Sequence, residues 1–293
     1  LGAVNDRQTE SAALTGVSET ALMTLNGRAH QAGLPDAILE DPMAIRLRDA
    51  FTTTFGVDYS KFGRRGQEMA LRSLAADRCT IGYLRAHPRA TIVALAEGFQ
   101  TSFWRLDKAI PDAQFRWVSV DLPPVIQLRE QLLPASPRIT NVAQSALDYS
   151  WMERVDTSEG VFITAEGLLM YLPPDEAMAL IRQCAKRFAG GQMFFDLPPT
   201  IIKKVAPKGV RASKTYRVPP MPFSLSINQL RALVGRVPGL TAVHDVDMPT
   251  GRGFAFKTMF PAFWRFGPMK PFRGVYALLD FGSGGSVPNA ASR

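Results

Sequence analysis

Three acidic residues stand where short apolar runs end, and their spacing is that of a ligand site. Glu97 lies in Ala96-Glu97-Gly98-Phe99-Gln100-Thr101, at the end of the run that starts at Thr91; Asp121 closes the run Trp117 to Val120; Glu166 follows Val161 to Thr164. Asp121 comes 23 positions after Gly98. A glycine after one strand lets the backbone turn and approach a ligand, and a carboxylate at the end of the next can accept hydrogen bonds from ribose hydroxyls. Many α/β proteins share that much, so the pattern alone names no ligand. What it lacks is more selective. Of the three glycines that admit a pyrophosphate, one is present, which disfavours a dinucleotide and hence a nicotinamide oxidoreductase. S-adenosylmethionine, a nucleoside without phosphate, is compatible with one glycine and one ribose acid.

Glu166 sits in Thr164-Ala165-Glu166-Gly167-Leu168-Leu169-Met170-Tyr171. A carboxylate amid so many apolar neighbours needs a cationic or hydrogen-bonding partner if it is buried. In an open parallel sheet the carboxyl ends of the strands face the ligand crevice, so Glu97, Asp121 and Glu166 are expected around one cleft. The plainer alternative leaves Glu166 as a helix-cap or surface acid. Histidine is scarce: His30 belongs to the N-terminal helical part, His87 precedes the first strand at its far end, and His244 falls in a late strand. None is placed to act as a general base.

The elements that must position these residues follow from periodicity. Ser18 to Tyr83 reads as helices and loops, with Asp41-Pro42 as a helix start. A helix from Gly66 to His87 is expected to turn Leu71, Leu74, Ala75 and Ile81 inward. Arg72 flanks that stripe, where an arginine can snorkel to solvent or point into a cleft. From Thr91 short apolar runs alternate with helical periods, the pattern of parallel strands with crossover helices. Strands are expected at Thr91 to Ala96, Trp117 to Val120, Val161 to Thr164, Gln192 to Phe195, Thr241 to Val246 and Val275 to Phe281. Pro123-Pro124 open one helix, carrying Val125, Ile126, Leu128 and Leu132. Asp175 and Glu176 open another, with Ala177, Leu180, Ile181, Cys184 and Phe188 at helical spacing, and a shorter one spans Ser226 to Val234. Thr200 to Pro222 is rich in Lys, Arg and Pro with few apolar residues, and is expected to form a mobile flap rather than core. The expected division is a helical cap over 1–87, a nucleoside-binding core over 88–199, a lid insertion over 200–225, the rest of the same sheet over 226–281 and a disordered tail over 282–293.

With 293 residues and 46% apolar against 20% charged side chains, the chain can bury a sizeable core and is neither disordered nor collagen-like. Glu97 and Glu166 interrupt the longest apolar runs, so no membrane span is expected. Residues 1–20 lack a basic start followed by an apolar core; no secretory signal is read there, and a cytoplasmic location is expected. The two cysteines, Cys79 and Cys184, make neither a disulfide framework nor a zinc site. The net charge of +8 suits a solvated basic surface, and would also attract nucleic acid, acidic lipid or a small anionic substrate.

Three segments carry a resemblance in order: Leu95 to Asp107, with Thr101 and Phe103-Trp104-Arg105-Leu106; Val120-Asp121-Leu122-Pro123; and Ala165-Glu166-Gly167-Leu168-Leu169-Met170-Tyr171-Leu172-Pro173. They resemble the leucine carboxyl methyltransferase family, and within it the bacterial, tetracenomycin-type polyketide O-methyltransferases. The likeness runs from about Val17 to Phe281 and includes Thr20-Ala21, Arg28 and Asp41-Pro42. It implies an α/β, Rossmann-like class I fold dependent on S-adenosylmethionine, with a mostly parallel seven-stranded sheet, an N-terminal helical cap and a lid insertion. By the same resemblance Arg72 would hold the carboxylate of the methionine moiety, with Gly98 in the loop beneath it. Asp121 would bind the ribose, Ser145-Ala146-Leu147 would contact adenine, and Glu166 would face the amino group of the cofactor. Ala96, Glu97, Thr101 and Leu122 fall within the matching donor-site motifs. The chain departs from the family's commoner Leu-Gly-x-Gly-x-Asp-Thr loop at Ala96, which narrows the loop, and at Gln100, which removes one negative charge.

The implied activity is O-methylation, by in-line transfer, of a small-molecule acid such as an aromatic polyketide carboxylate, or of a phenol. A carboxylate is ionised at neutral pH, whereas a phenol with a pKa of about 10 benefits from a base, so the scarcity of placed histidine favours the carboxylate. Met170 and Tyr171, with Tyr216, Arg217 and Phe223 from the expected lid, are candidates for substrate contact. Lys203, Lys204, Lys208, Arg211, Lys214 and Arg217 could steer anions inward. One competing reading remains: Arg252-Gly253-Phe254-Ala255-Phe256 resembles the aromatic strand motif of RNA-recognition domains, though Lys257 follows it and no companion strand motif precedes it. Asp196-Leu197-Pro198-Pro199 resembles the Asp-Pro-Pro-aromatic loop of amino-methylating nucleic-acid enzymes, but carries an extra leucine and no aromatic residue. No nucleic-acid, membrane or metal partner is expected.

Overall fold

Strands β1 (Thr91–Leu95), β2 (Arg116–Asp121), β3 (Ile139–Ala143), β4 (Val161–Ala165), β5 (Gln192–Leu197), β6 (Leu240–Asp245) and β7 (Val275–Phe281) form one sheet in the order β3-β2-β1-β4-β5-β7-β6. The computed structural model describes residues 18–63, 67–260, 262 and 272–282. β1 to β5 run parallel, and β7 is antiparallel to both of its neighbours. This is the mostly parallel, seven-stranded α/β sheet that the resemblance implies. β1 and β4 are buried at every residue, as continuous apolar runs require when helices cover both faces. β3 was not expected. Its sequence Ile-Thr-Asn-Val-Ala buries only Val142, the mark of an edge strand with no apolar run to announce it.

The helices are α1 (Thr20–Ala32), α2 (Pro42–Phe55), α3 (Glu68–Ala86), α4 (Ser102–Ala109), α5 (Pro123–Leu132), α6 (Pro174–Arg187), α7 (Ile202–Val205) and α8 (Ile227–Arg231). Asp41 caps α2, accepting from the Ala44 N–H at 3.0 Å with Pro42 in the first turn. Alternate residues of each strand feed two cores. Val93, Val118, Ile163 and Met193 pack with α6 on one face, and Ile92, Trp117, Phe162 and Phe194 pack with α3 and α4 on the other. A third core joins α1 and α2 to Phe99 and Val125.

Two expectations about these elements are corrected. The inward face of α3 carries Ser73, Asp77 and Thr80 beside Leu71 and Ala75, while Leu74 and Ile81 are only half-buried. The helix is turned by polar partners on distant segments rather than by its apolar stripe. Residues 200–225 are tied into the cores rather than standing apart: Tyr216 and Val218 join the third core, Tyr216 meets Phe62 edge-on at 4.8 Å, and Phe223 and Leu225 join the first. Composition hid this because the few apolar residues there fall on alternate positions of a short return, bridged at Arg211 and Arg217.

Ala255–Met259 forms helical turns with Phe254 exposed, so Arg252 to Phe256 is not the strand that an RNA-recognition motif needs. Among the described residues no helix is long and apolar enough to cross a membrane. Beyond Gly282, the expected tail lies outside the described residues.

Candidate active site

The strand order reverses between β1 and β4, and at the carboxyl ends of the strands there a cavity of about 260 Å³ opens, where open α/β sheets bind ligands. Arg72, Ala96, Glu97, Gly98, Asp121, Leu122, Ser145, Ala146, Leu147 and Glu166 all line it, with Ala21 and Thr24 of α1 opposite. Thr101 does not. It is buried, and its hydroxyl donates to Asp41 at 2.7–2.8 Å.

One end of the cavity is shaped by backbone. Ala96 and Gly98 both have positive φ, +47° and +58°, which folds the turn after β1 back over β2. A Cβ on Gly98 would lie 2.9 Å from the Cβ of Ala21, so only glycine fits between α1 and the turn. Asp121 clamps the turn: Oδ2 accepts from the Gly98 N–H at 2.6 Å and Oδ1 from the Leu122 N–H at 2.7 Å. Each oxygen has a further lone pair for a ligand hydroxyl. Burial raises the Asp121 carboxyl above its usual range, against the pull of those two N–H groups. Leu122, Ala146 and Leu147 supply an apolar lip beside it.

Glu97 lines the cavity, but its carboxylate is committed elsewhere. It pairs with Arg129 at 2.9 Å and accepts from the Trp117 indole N–H at 3.1 Å. Arg129 in turn donates to the carbonyls of Gly98 and Gln100. Arg129 was missed from the sequence, although its place beside Val125, Ile126 and Leu128 on one helical face is the signal that could have found it.

The other end is built from side chains. Arg72 faces Glu166 at 3.7 Å and Asp196 at 3.5 Å, and Asp196 also accepts from the Gly167 N–H at 2.7 Å. Glu166 accepts from Gln100 Nε2 at 3.0 Å and from the Ser73 hydroxyl at 3.3 Å. Beneath them Arg105 joins Asp77 and Asp41, each at 2.7 Å, and Arg28 faces Asp41 at 3.7 Å. Burial raises the Glu166 carboxyl, with Arg72 opposing. Burial would lower Arg72, but Asp196 and Glu166 outweigh it and the guanidinium ends raised. Arg72 therefore points into the cleft as a firm cation. Ser73 and Asp77 went unread, and Asp196 was read only as the start of Asp196-Leu197-Pro198-Pro199, because the partners of all three lie on distant segments of the chain.

Of the substrate-contact candidates, Tyr171 alone lines the cavity. Met170 is buried and its carbonyl accepts from the Phe223 N–H at 3.3 Å; Tyr216 and Phe223 are packed in cores; Arg217 is exposed and donates to the Gly209 carbonyl at 2.8 Å. No histidine lines the cavity: His87 stacks on Tyr83, and His244 meets Asp280 at 2.7 Å.

The chain is similar to known proteins over most of its length. A family model described as leucine carboxyl methyltransferase matches residues 21–185. The chain is 30% identical over 236 residues, 79% of its length and 83% of the relative's, to the tetracenomycin polyketide synthesis O-methyltransferase TcmP of Streptomyces glaucescens. It is 32% identical over 251 residues, 78% of its length and 80% of the relative's, to the S-adenosyl-L-methionine-dependent methyltransferase dpfgK of Gibberella zeae. Among solved structures, the plantazolicin methyltransferase BpumL aligns over 91% of this chain and 99% of its own, at 11% identity and a TM-score of 0.47.

Proposed function

The chain belongs to the leucine carboxyl methyltransferase family and is an S-adenosylmethionine-dependent methyltransferase, and from that premise we propose that it is an O-methyltransferase esterifying a carboxylate of a small organic acid, of which an aromatic polyketide acid is the chemical type. The observation that carries the reading is the Asp121 clamp on Gly98 at one end of a cavity whose other end presents Arg72 and Glu166. A nucleoside bearing an amino acid fits that polarity: an acid for ribose hydroxyls, an apolar lip for the base, and a guanidinium with a carboxylate for the two charges of the methionine moiety. No phosphate cradle is needed.

When bound, the donor supplies an electrophilic methyl carbon on a sulfonium; an acceptor oxygen bonds to it from the far side while the carbon–sulfur bond pair leaves to sulfur. The protein's part is positioning, which in well-oriented systems reaches effective molarities on the order of 10⁵–10⁸ M. In this reading Asp121 fixes the ribose, Leu122 and Ala146 hold the base, and Arg72 orients the amino-acid end. An ionised acceptor needs no proton removed. That suits a cavity in which, among the described lining residues, Glu97, Asp121 and Glu166 are already engaged and no histidine is present. The relative named for polyketide synthesis supports a polyketide as acceptor type.

The test is transfer of one isotopically labelled methyl group from S-adenosylmethionine to a panel of aromatic acids and phenols. A labelled product that mild base hydrolyses back to the acid is expected. A base-stable ether would replace the carboxylate by a phenol or alcohol, and failure to label any oxygen acceptor while still binding the donor would overturn O-methylation.

A further inference from the structure

The net charge is not spread over the chain. Residues 197–244 hold eight of the 34 Lys and Arg and none of the 26 Asp and Glu, so the whole +8 lies in this stretch and the remaining residues balance. Residues 248–279 hold no acid either. Elsewhere Lys61, Lys108, Arg89 and Arg116 each pair with a carboxylate. Lys203, Lys204, Lys208, Arg211, Lys214 and Arg217 are exposed, and among the described residues none of them does so; Lys203, Arg211 and Arg217 donate to backbone carbonyls instead. A cationic patch left without counter-charges repels itself and is matched by an external polyanion.

Exposed apolar side chains gather at the same corner. Leu197 at the end of β5 lies opposite Val275 at the start of β7, so the segment leaving β5 and the one entering β7 meet there. Both also settle at the entry to α3: Ser213 donates to the Lys61 carbonyl, and the Arg252 N–H to Gln67. Four of the six exposed large apolar side chains among the described residues belong to these two segments, Val205 at 66%, Phe254 at 74%, Met259 at 45% and Phe272 at 46% exposed. Lysines without acids beside exposed Phe and Met suit the boundary of a bilayer, where apolar side chains enter the acyl layer and ammonium groups meet headgroups. Protein interfaces are poor in lysine. A nucleic acid would stack on Phe254 but offer Val205 and Met259 nothing. We infer that this corner docks on an anionic lipid surface. The inference departs from the expectation of no membrane partner, since surface association needs no spanning run, and it does not depend on which acceptor the site methylates.

Vesicle cosedimentation tests this, with phosphatidylcholine alone and with about 30% phosphatidylglycerol added. The wild-type chain is expected to bind the anionic vesicles about 10-fold or more tightly than the neutral ones at about 0.1 M salt, and to lose most of that preference at about 0.5 M. Lys203→Glu combined with Lys204→Glu is expected to weaken binding to anionic vesicles about 10-fold or more, and Phe254→Ser about 3-fold or more. All three side chains are exposed, and a thermal melt checks that each variant folds. If the double variant does not fold, Phe254→Ser decides: a loss of about 3-fold or more supports the assignment and a smaller one overturns it. A wild-type chain that binds neither vesicle, or binds both alike, overturns it, as does binding that survives the charge reversal. Binding of poly(U) RNA or of poly-L-glutamate in place of anionic vesicles overturns it in favour of a nucleic acid or an acidic protein. Titration with S-adenosylhomocysteine on the same samples reports on the donor site separately, and its failure leaves the vesicle result standing.

Discussion

The two ends of the cavity are made in opposite ways. At the Gly98 end, the turn Ala96 to Gly98 and the single acid Asp121 suffice, and the contacts are made by backbone N–H groups. At the Glu166 end, side chains arrive from α1, the cap of α2, α3, α4, the segment after β4 and β5. In the proposed reading the first end concentrates ligand recognition in one removable group, and the second couples recognition to stability, because each charge there is buried and shared.

The largest effect should come where that sharing is greatest. Arg105 is the cation between Asp41 and Asp77 and also donates to Ser102. Arg105→Leu leaves the buried Asp77 carboxylate without its cation and Asp41 with Arg28 alone, and is expected to destabilise the fold by about 3–5 kcal/mol, read as a lower denaturant midpoint. Asp121→Ala should behave differently. It removes a charged acceptor that ligand hydroxyls would use, weakening S-adenosylhomocysteine about 30–100-fold in a calorimetric titration, or about 2–3 kcal/mol, while costing less stability than Arg105→Leu. If Asp121→Ala unfolded the protein as readily, the contrast between the ends would collapse.

A smaller effect has a sign that pH reveals. Burial raises Glu166 above the ordinary value of 4.5 in the folded protein. The folded state therefore takes up this proton at a higher pH than the unfolded chain does. The ionised carboxyl is a burden above the raised value, and stability is gained as pH falls through it toward 4.5. Asp121, also raised by burial from 3.8, contributes in the same direction. In E166Q the Glu166 contribution is gone, so the difference in unfolding free energy between wild type and variant should change with pH only above about 4.5. A difference that stays constant from pH 4.5 to neutrality would mean Glu166 is as comfortable ionised as it is in water.

The same contrast explains what sequence reading could reach. β1, β2 and β4 were legible because both of their faces are buried and most of their residues are apolar. β3 was not, since an edge strand that buries only Val142 leaves no such run. Gly98 and Asp121 were legible because a strand, a turn and the next strand fix their separation. Ser73, Asp77 and Asp196 were not, because their partners lie on segments far away in the chain: Ser73 meets Gln100, Asp77 meets Arg105, and Asp196 meets Arg72. Periodicity placed Leu74 and Ile81 inside α3 for the same reason: it weighs side chains one helix at a time, and the polar group that turns this helix is assembled from several.

The smallest expected effect tests whether the backbone end is strained. Ala96 is the one described non-glycine residue with positive φ, at +47°, a region in which a Cβ crowds the following carbonyl at a cost of roughly 1–2 kcal/mol. Ala96→Gly removes that crowding but gives the unfolded chain more freedom, worth roughly 0.5–1 kcal/mol in the opposite sense. The net expectation is a stabilisation of about 0.5–1 kcal/mol, seen as a small rise in Tm, with S-adenosylhomocysteine binding changed less than about 3-fold. Deleting a methyl group would thus stabilise this end, whereas deleting almost any group at the Glu166 end should destabilise it. A lower Tm for Ala96→Gly would place the strain elsewhere, and the turn would then owe its shape to packing against Ala21 and Val120 rather than to the clamp from Asp121.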